Sequence, residues 1–364
     1  MNGIPWAQPF FGGNEGRFVA EALDSTWISG GPFIERLEAA VARYCDIPHA
    51  LAVCNGTAAL HLAYLGAGVR PGDEVVVPGF SFLAAANVAL HMGARPVFAE
   101  VDPATWCMTG RTLEPCLTPR TRAVVPVHTY GNVCPMDEIT ELTRLRGVTV
   151  IEDAAEAFAS RYRGRAAGSL GHIGCFSFQA TKTITTGEGG MVVTRDTRIA
   201  EVMALYRSHG MLRKRHYWHE LPGHNFRLTN MQAALGCAQL ERLPTIIEQR
   251  RRVAARYRSR LSGERGLSLQ DFAADVQPVI WALALRLDPA AFPQGRDTLI
   301  RQMGEQGIET RPGFYAPGMM DFYDCPTLPT CESLSRQIIC VPCFPDLTDP
   351  QIDRICDVLT GLRA

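Results

Sequence analysis

The sequence lacks the features of proteins that bind nucleic acids or membranes. Its 36 basic and 37 acidic residues leave a formal net charge of -1, so no strong field attracts nucleic acid or an anionic membrane. No segment approaches the apolar length that crosses a bilayer, and residues 1–11 have no basic stretch followed by an apolar one. We therefore expect a cytoplasmic protein with no nucleic-acid or membrane partner.

A disulfide framework is also missing, although the chain contains 12 cysteines. Their spacing is irregular, and several, such as Cys54 and Cys175, lie in apolar runs that are typical of buried reduced thiols. The pair Cys340 and Cys343 has the spacing of a redox motif or of half a zinc site. Because no second pair or histidine cluster accompanies it, we interpret these thiols as structural and predict no metal site.

The length of the chain suggests two domains. With 364 residues, 46% of them hydrophobic and 20% charged, the composition is that of an ordinary globular protein with a large core. From about residue 34 to residue 194, short apolar runs alternate with helical periods, which predicts a mostly parallel sheet covered by helices on both faces. We expect residues 12–239 to form this large α/β domain. Residues 240–364, with the N-terminal arm 1–11, should form a smaller α+β domain.

The individual elements follow from the period of the apolar residues. The predicted strands are Ala50–Val53, Glu74–Val77, Pro96–Phe98, Ala123–Val127, Thr149–Ile151, Cys175–Phe178, Gly190–Val193 and Val279–Leu285. The predicted helices are Ala58–Leu65, Leu83–Met92, Met136–Arg146, Arg296–Glu305 and Asp349–Leu359, with a longer helical stretch, Met231–Leu261, divided at Leu243–Pro244. The run Arg250–Arg252 falls in that stretch, and we interpret it as a solvated helix face rather than a binding patch.

A phosphate-binding turn is the first candidate functional feature. A strand ends near Cys54 and a helix begins near Thr57, and Gly56 between them permits a tight turn. Free backbone N–H groups at a helix start favour an anion, and the Thr57 hydroxyl adds a donor. A plain capped helix has the same residues, because Asn and Thr are common caps. The motif alone leaves both interpretations open.

Carboxylates at the end of a predicted buried strand are the second feature. Glu152, Asp153 and Glu156 follow the apolar pair Val150–Ile151. Ligands of open parallel sheets bind beyond the carboxyl ends of the strands, where one carboxylate could pair with a protonated ring nitrogen. The alternative is the acidic first turn of a helix.

The third feature is Lys182, which lies among apolar, hydroxyl and glycine residues. A desolvated lysine has a lowered pKa and becomes nucleophilic toward carbonyls, as a Schiff-base lysine requires. A lysine on a surface loop is the alternative. Together, a helix start for a phosphate, a carboxylate for a ring nitrogen and a lysine for an aldehyde are the contacts that pyridoxal 5'-phosphate (PLP) needs. The sequence therefore predicts PLP as the cofactor.

With these residues in place, the chain resembles the DegT/DnrJ/EryC/StrS family of sugar aminotransferases through nearly its whole length. The motifs that carry the resemblance are Trp27–Pro32, Asn55–Thr57, Pro71–Val75, Ile151–Ala155 and Gly187–Met191. The resemblance implies an α/β fold with a three-layer, mostly parallel sheet, the aspartate-aminotransferase type or fold type I of PLP enzymes. It also implies a homodimer with shared active sites.

Within the family, the chain is most similar to the GDP-perosamine synthases. The residues that carry this similarity are Glu156, the run Lys182–Gly187, and the later stretches Tyr217–His219 and Asn225–Asn230. Relatives usually carry a histidine shortly after the turn Arg311–Pro312. This chain has none there, and Gly318 stands near the expected position.

The resemblance implies roles for individual residues. Lys182 would form the Schiff base with the cofactor, Asp153 would hold its ring nitrogen, and Phe82 would stack on its ring. The phosphate would be held by three residues of the same chain and one of the neighbouring subunit, namely Gly56, Thr57, Ser177 and the neighbour's Asn225.

Substrate contacts are implied in the same way. Glu156 would lie near the ring hydroxyl of the cofactor or near the sugar. Three further residues, Trp27, Arg311 and Tyr315, would contact the substrate.

The expected reaction is a transamination in two halves. L-Glutamate would convert PLP to pyridoxamine phosphate, and this amine would then be transferred to a nucleotide-linked 4-keto-6-deoxy sugar, turning GDP-4-keto-6-deoxymannose into GDP-4-amino-4,6-dideoxymannose. Amination of another keto sugar, at a 3-keto or 8-keto position, or of a keto-cyclitol is the main alternative. A related dehydratase would carry histidine in place of Lys182, and a non-catalytic scaffold would not need Lys182 and Asp153.

Overall fold

The computed structural model of the chain describes residues 3–212 and 214–364. Its strands in chain order are β1 (His49–Val53), β2 (Glu74–Pro78), β3 (Arg95–Ala99), β4 (Thr121–Val124), β5 (Thr149–Asp153), β6 (Arg161–Tyr162), β7 (Arg165–Ala166), β8 (Ile173–Ser177), β9 (Gly190–Thr194), β10 (Leu267–Leu269), β11 (Val276–Gln277), β12 (Leu283–Leu287), β13 (Arg311–Pro312) and β14 (Ile338–Val341). The helices are α1 (Glu15–Asp24), α2 (Pro32–Cys45), α3 (Gly56–Gly66), α4 (Ala84–His91), α5 (Gly110–Leu113), α6 (Met136–Arg144), α7 (Thr197–Arg207), α8 (Asn230–Glu241), α9 (Leu243–Leu261), α10 (Arg296–Glu305), α11 (Pro329–Gln337) and α12 (Asp349–Gly361).

A seven-stranded sheet with the order β1-β9-β8-β5-β4-β2-β3 forms the centre of the fold. Only β9 runs antiparallel to its neighbours β1 and β8, whereas the pairs from β8 to β3 are parallel. The predicted mostly parallel sheet is therefore confirmed. Its carboxyl edge is where a ligand site is expected in such a sheet.

Helices cover both faces of this sheet, because alternate side chains of each strand point to opposite sides. Val76, Val124 and Val150 contribute to one core, which also contains buried residues of α2, α6 and α8. Val75 and Ile151, their neighbours in sequence, belong to a second core with residues of α3 and α4. These two cores are the two interfaces of a three-layer α/β/α arrangement, as predicted.

A smaller antiparallel sheet, ordered β10-β12-β14-β13, lies in the second half of the chain. It packs with α9, α10 and α12 around a third core. The N-terminal arm joins this core, because the N–H of Ile4 donates to the carbonyl of Gly307 at 2.8 Å and its carbonyl accepts from the N–H of Glu309 at 2.9 Å. A division into domains between residues 239 and 240 stays a prediction.

Two sequence-based interpretations are corrected by the structure. The predicted strand Val279–Leu285 begins only at Leu283, since the backbone groups before it are bonded outside any sheet. Within the run Arg250–Arg252, Arg250 is 3% exposed and faces the core, so a solvated face is wrong for this residue. Its apolar neighbours on α9, Ile246 and Val253, are also buried.

Two further properties concern the described part of the chain. Among residues 3–212 and 214–364, no helix has the length and apolar character needed to span a bilayer. The same residues hold no group of three or more His, Cys, Asp or Glu side chains arranged like metal ligands. Cys340 and Cys343 are free and buried, and burial raises the pKa of both thiols.

Candidate active site

A cavity of about 410 Å³ opens at the carboxyl ends of β5 and β8. This volume is in the range of small-molecule sites, roughly 300–1,000 Å³. The cavity brings together the predicted cofactor-binding residues of a single chain, namely Gly56, Thr57, Phe82, Asp153, Glu156, Ser177 and Lys182. Residues that are far apart in sequence meet here because parallel strands present their carboxyl ends at one edge of the sheet.

The start of α3 forms one end of the cavity. Asn55 caps this helix, and its side-chain oxygen accepts the N–H of Ala58 at 2.8 Å. The first N–H groups of a helix have no partner within it, so those of Gly56 and Thr57 are available to an anion. A Cβ at Gly56 would lie 2.9 Å from the Cβ of Ser177, so glycine is what lets α3 approach the end of β8. The motif is thus a capped helix whose first N–H groups, with the nearby Ser177 hydroxyl, form a cradle that can bind a phosphate.

Lys182 projects into the cavity from the loop between β8 and β9. Its Nζ lies 3.6 Å from the centroid of the Trp281 ring. Burial lowers the pKa of Lys182, while the carboxyl groups of Glu156 and Asp153 act in the opposite direction. The amine therefore lies half-buried beside two carboxyl groups, and the alternative of an exposed surface loop is wrong.

Asp153 is the last residue of β5 and is 5% exposed. Its Oδ1 accepts the N–H of Ala155 at 3.1 Å. Burial raises the pKa of Asp153, and the Ala155 hydrogen bond and the charge of Lys182 oppose that rise. The carboxyl group lines the cavity at the strand end, where it can pair with a cationic ring nitrogen.

The preceding carboxylate, Glu152, is engaged in loop contacts instead of lining the cavity, since successive strand residues alternate between faces. It is fully buried, and its Oε2 lies 2.9 Å from Nε2 of the buried His128. Three backbone N–H groups also donate to it, those of Gly168 at 2.7 Å, Leu170 at 2.6 Å and Gly171 at 2.5 Å. Glu152 therefore anchors the loop before β8.

Glu156 is 3% exposed and lines the cavity near Lys182. Its Oε2 accepts the backbone N–H of Tyr130 at 2.8 Å. Burial raises the pKa of Glu156 to about 7, although the positive charge of Lys182 acts against this. Near neutral pH this carboxyl group can exchange a proton, which an ordinary glutamate does not do.

Ten residues that line the cavity were not among the predicted site residues, although Asn55, Ala155 and Glu188 belong to the motifs named above. These are Trp6, Asn55, Leu60, Ala84, Val127, Ala155, Gln179, Thr181, Glu188 and Trp281. Trp281 stands out, because its indole N–H donates to the carbonyl of Thr181 at 2.9 Å and its ring meets Trp6 edge-on at 5.8 Å. No sequence motif marks Trp281, since the contact with Lys182 joins residues about a hundred positions apart.

Of the predicted substrate residues, Glu156 lines this first cavity, whereas Trp27, Arg311 and Tyr315 lie outside it. Phe82, which is 64% exposed, also lines a second cavity of about 400 Å³, together with Arg311 and Tyr315. This second cavity therefore adjoins the first. Trp27 and Asn225 are exposed, and among the described residues they belong to the lining of neither cavity.

The donor set fits PLP. A half-buried amine is available for an aldehyde, a strand-end carboxylate for a ring nitrogen, and a helix start beside two hydroxyl groups for a phosphate. The absence of a side chain at Gly56 brings this helix start close to the Ser177 hydroxyl.

Comparison with known proteins agrees with this geometry. The family model described as the DegT/DnrJ/EryC1/StrS aminotransferase family matches residues 12–360. GDP-perosamine synthase of Caulobacter vibrioides is 42% identical, covering 98% of this chain and 97% of that protein. The enzyme of the same name from Escherichia coli O157:H7 is 39% identical, covering 98% of both chains.

Among solved structures, the aminotransferase TlmJ from Streptoalloteichus hindustanus superposes with a TM-score of 0.93 at 34% identity, covering 98% of both chains. The match extends through both halves of the fold. The chain therefore belongs to the DegT/DnrJ/EryC1/StrS aminotransferase family and is a PLP-dependent aminotransferase of fold type I.

Proposed function

We propose that this chain moves the amino group of L-glutamate to the keto carbon of GDP-4-keto-6-deoxymannose, giving GDP-4-amino-4,6-dideoxymannose. The observation that carries the transamination is the half-buried amine of Lys182, which lines the cavity together with the carboxyl groups of Asp153 and Glu156. The choice of sugar is supported by relatives named GDP-perosamine synthase, which are 42% and 39% identical over nearly the full length.

PLP supplies the electron-withdrawing ring and the carrier of the amino group, and the protein binds and orients it. When bound, PLP accepts the amino group of one substrate, passes it to the next, and withdraws electrons from the carbon attached to that nitrogen. We assign its ring nitrogen to Asp153 and its phosphate to the cradle formed by Gly56, Thr57 and Ser177. A carboxylate at the ring nitrogen keeps that nitrogen protonated, and a protonated ring is the better electron acceptor.

Lys182 has the properties of the proton carrier. Burial lowers its pKa and so favours the neutral amine, the form that can take a proton from a substrate carbon. Once protonated, Nζ can rest against the face of Trp281, 3.6 Å away, which favours the cation. Glu156, with a pKa of about 7, can share that proton. Lys182 thus collects a proton at one carbon and returns it at another.

The central experiment uses purified chain loaded with PLP. L-Glutamate should abolish the visible absorbance of the lysine-bound cofactor and release 2-oxoglutarate. GDP-4-keto-6-deoxymannose should then yield a product whose mass corresponds to replacement of the keto oxygen by an amino group. Lys182→Ala should lose the visible band and at least about a thousandfold in turnover.

Lys214 supplies a matched control, because Lys182 and Lys214 are the only lysines of the chain. It is exposed, so Lys214→Ala should retain both the band and the activity. A panel with a 3-keto nucleotide sugar and a keto-cyclitol tests the assigned substrate. Faster turnover of either compound, or no product from the GDP sugar, would refute the assignment. If the wild-type chain shows no visible band after addition of PLP, or a band that L-glutamate does not abolish, the whole proposal is refuted.

We further propose a homodimer in which Asn225 and Trp27 of one chain complete the active site of the other. Both side chains are exposed, and Trp27 is 66% exposed, which is unusual for so large an apolar group. Mixing Lys182→Ala with Asn225→Ala chains would place both defects in one site of a mixed dimer and leave the other site intact. Random exchange should then restore about a quarter of wild-type activity. Separate sites would give no recovery.

A further inference from the structure

Arg250 is a buried cation on the core-facing side of α9. It is 3% exposed and shares this side with Ile246, Val253 and Tyr257, all of which are fully buried. Its neighbour Arg251 is exposed on the same helix. An arginine among apolar residues is costly unless polar groups compensate its charge. The burial of Arg250 therefore has to be explained by the groups that accept its hydrogen bonds.

The guanidinium group is bound by backbone carbonyls. Its Nη1 donates to the carbonyls of Ile280 at 3.1 Å and Trp281 at 3.2 Å, and its Nη2 donates to the carbonyl of Lys182 at 3.4 Å. In residues 3–212 and 214–364, no carboxylate forms an ion pair with Arg250. One side chain thus joins three carbonyls from two segments that are distant in sequence.

The two segments are the ones whose side chains meet in the cavity. Lys182 belongs to the first and Trp281 to the second, and Nζ of Lys182 lies 3.6 Å from the centroid of the Trp281 ring. A second link runs between the same segments, because the indole N–H of Trp281 donates to the carbonyl of Thr181 at 2.9 Å. The two backbone segments are therefore joined by two separate sets of hydrogen bonds.

We propose that Arg250 is a positioning residue for Lys182. It holds the backbone of Lys182 against that of Trp281 and so determines where the amine stands in the cavity. This inference rests on the proposed function of Lys182 as the proton carrier. Arg250 touches neither cofactor nor substrate and acts only through the lysine.

The chemistry of the two side chains explains why such a brace is useful. Lysine carries its charge on a flexible stem with four carbons, so its base must be fixed if its tip is to be placed. A displacement of about 1 Å at a reacting group can cost roughly a hundredfold in rate. Arginine suits the brace because its planar fork reaches several carbonyls and does not lose its proton.

The test compares Arg250→Lys and Arg250→Met with the exposed control Arg251→Met, all as PLP-loaded full-length chains. The first readout is the pH titration of the visible band, which needs no sugar substrate. The groups that face Lys182 are Asp153 and Glu156, and both remain in every variant. We expect the apparent pKa of the band to move by about half a unit or more in the Arg250 variants. It should not move in Arg251→Met.

The second readout separates turnover from substrate binding. In the Arg250 variants, kcat should fall by about tenfold or more, with KM for the sugar nearly unchanged, because the defect lies in placement of the base. Arg250→Lys should be less affected than Arg250→Met, since an ammonium group can still donate to a carbonyl. Thermal unfolding of each variant reports stability separately.

A purely structural role gives a different pattern. Variants with a lower Tm but wild-type band titration and wild-type kcat overturn the proposal, and so does failure of both Arg250 variants to fold. If the wild-type chain lacks activity on the GDP sugar but binds PLP, the proposed substrate fails while the band titration still tests Arg250. A wild-type chain that binds no PLP at all refutes the proposed function and with it this inference.

Discussion

Gly56→Ala probes the phosphate cradle at the start of α3. The added methyl carbon would lie 2.9 Å from Cβ and 3.3 Å from Oγ of Ser177. Carbon atoms in contact normally stand about 3.5 Å apart or more, so α3 and the end of β8 must separate by roughly 0.6 Å. Such overpacking costs about 1–3 kcal/mol, and the higher helix propensity of alanine offsets up to about 1 kcal/mol of it. The net loss of folding stability should therefore be small.

The larger effect is expected on cofactor binding. Separation of Ser177 from the first N–H groups of α3 removes at least one hydrogen bond to the phosphate, worth about 1.5–3 kcal/mol for a charged acceptor. The Kd for PLP should rise by about 10- to 150-fold. A titration of apoprotein with PLP, followed by visible absorbance, measures this change, and thermal unfolding of the apoprotein measures stability separately.

Gly16→Ala is the matched control, because a Cβ at Gly16 in α1 would meet nothing within 4 Å. The same chemical change there should leave the Kd for PLP unaltered and stability equal or slightly higher. If the Kd of Gly56→Ala for PLP lies within about twofold of the wild-type value, the cradle assignment is refuted, because a lost phosphate contact would raise the Kd by more than that.

Three further replacements distinguish the buried carboxyl groups. Glu152→Gln should lower the free energy of unfolding of the apoprotein, measured in urea, by about 1–3 kcal/mol, because an amide cannot accept from all four donors. Asp153→Asn should leave urea unfolding nearly unchanged but reduce kcat by at least about a hundredfold. For Glu156, the pKa is 4.5 when unperturbed and about 7 when folded, so the native chain binds this proton more tightly and its stability falls as the pH rises through that window. Glu156→Gln should remove this fall. In urea unfolding of the apoprotein, the free energy of unfolding of the variant relative to wild type should be about 3 kcal/mol higher at pH 8 than at pH 4. Parallel pH curves for the two chains would contradict the assignment.

The sequence was sufficient for the parts of the site that depend on strand ends. Asp153 and Ser177 each close a strand, and Gly56 follows one and opens a helix, so an alternating α/β pattern alone places them at one sheet edge. Lys182 joins them because its loop leaves β8 at the same edge. The local sequence pattern also predicted the helix Arg296–Glu305, and its bounds agree with the structure.

The sequence was insufficient where a contact joins the two halves of the chain. Trp281 was placed in a strand from Val279 to Leu285, because the run is apolar and continuous. In the structure, the carbonyls of Ile280 and Trp281 accept from Arg250, and the N–H of Val279 donates to Ser160, so these groups cannot pair in a sheet. A tertiary hydrogen bond overrides the local pattern there.

Arg250 could have been recognised from its spacing, although charge alone indicated solvent. It lies four residues after Ile246 and three before Val253, which is the spacing of one helix face. A charged residue at such a position indicates either that it has a buried polar partner or that the apolar face of the helix has been assigned incorrectly. The apolar neighbours were the stronger signal, because they determine which side of α9 is covered.

The two basic side chains, Lys182 and Arg250, differ in the way that their tasks require. Lys182 is flanked by two carboxyl groups and has a lowered pKa, so its proton can leave and return. Burial also lowers the pKa of Arg250, but a guanidinium starts so high that it stays charged while it binds carbonyls. A lysine at position 250 would bring a second titratable amine beside the reactive one, with three donors and no planar fork. The exchange of protons and the support of the backbone are thus assigned to different side chains, and a group that cannot titrate is the better choice for the second task.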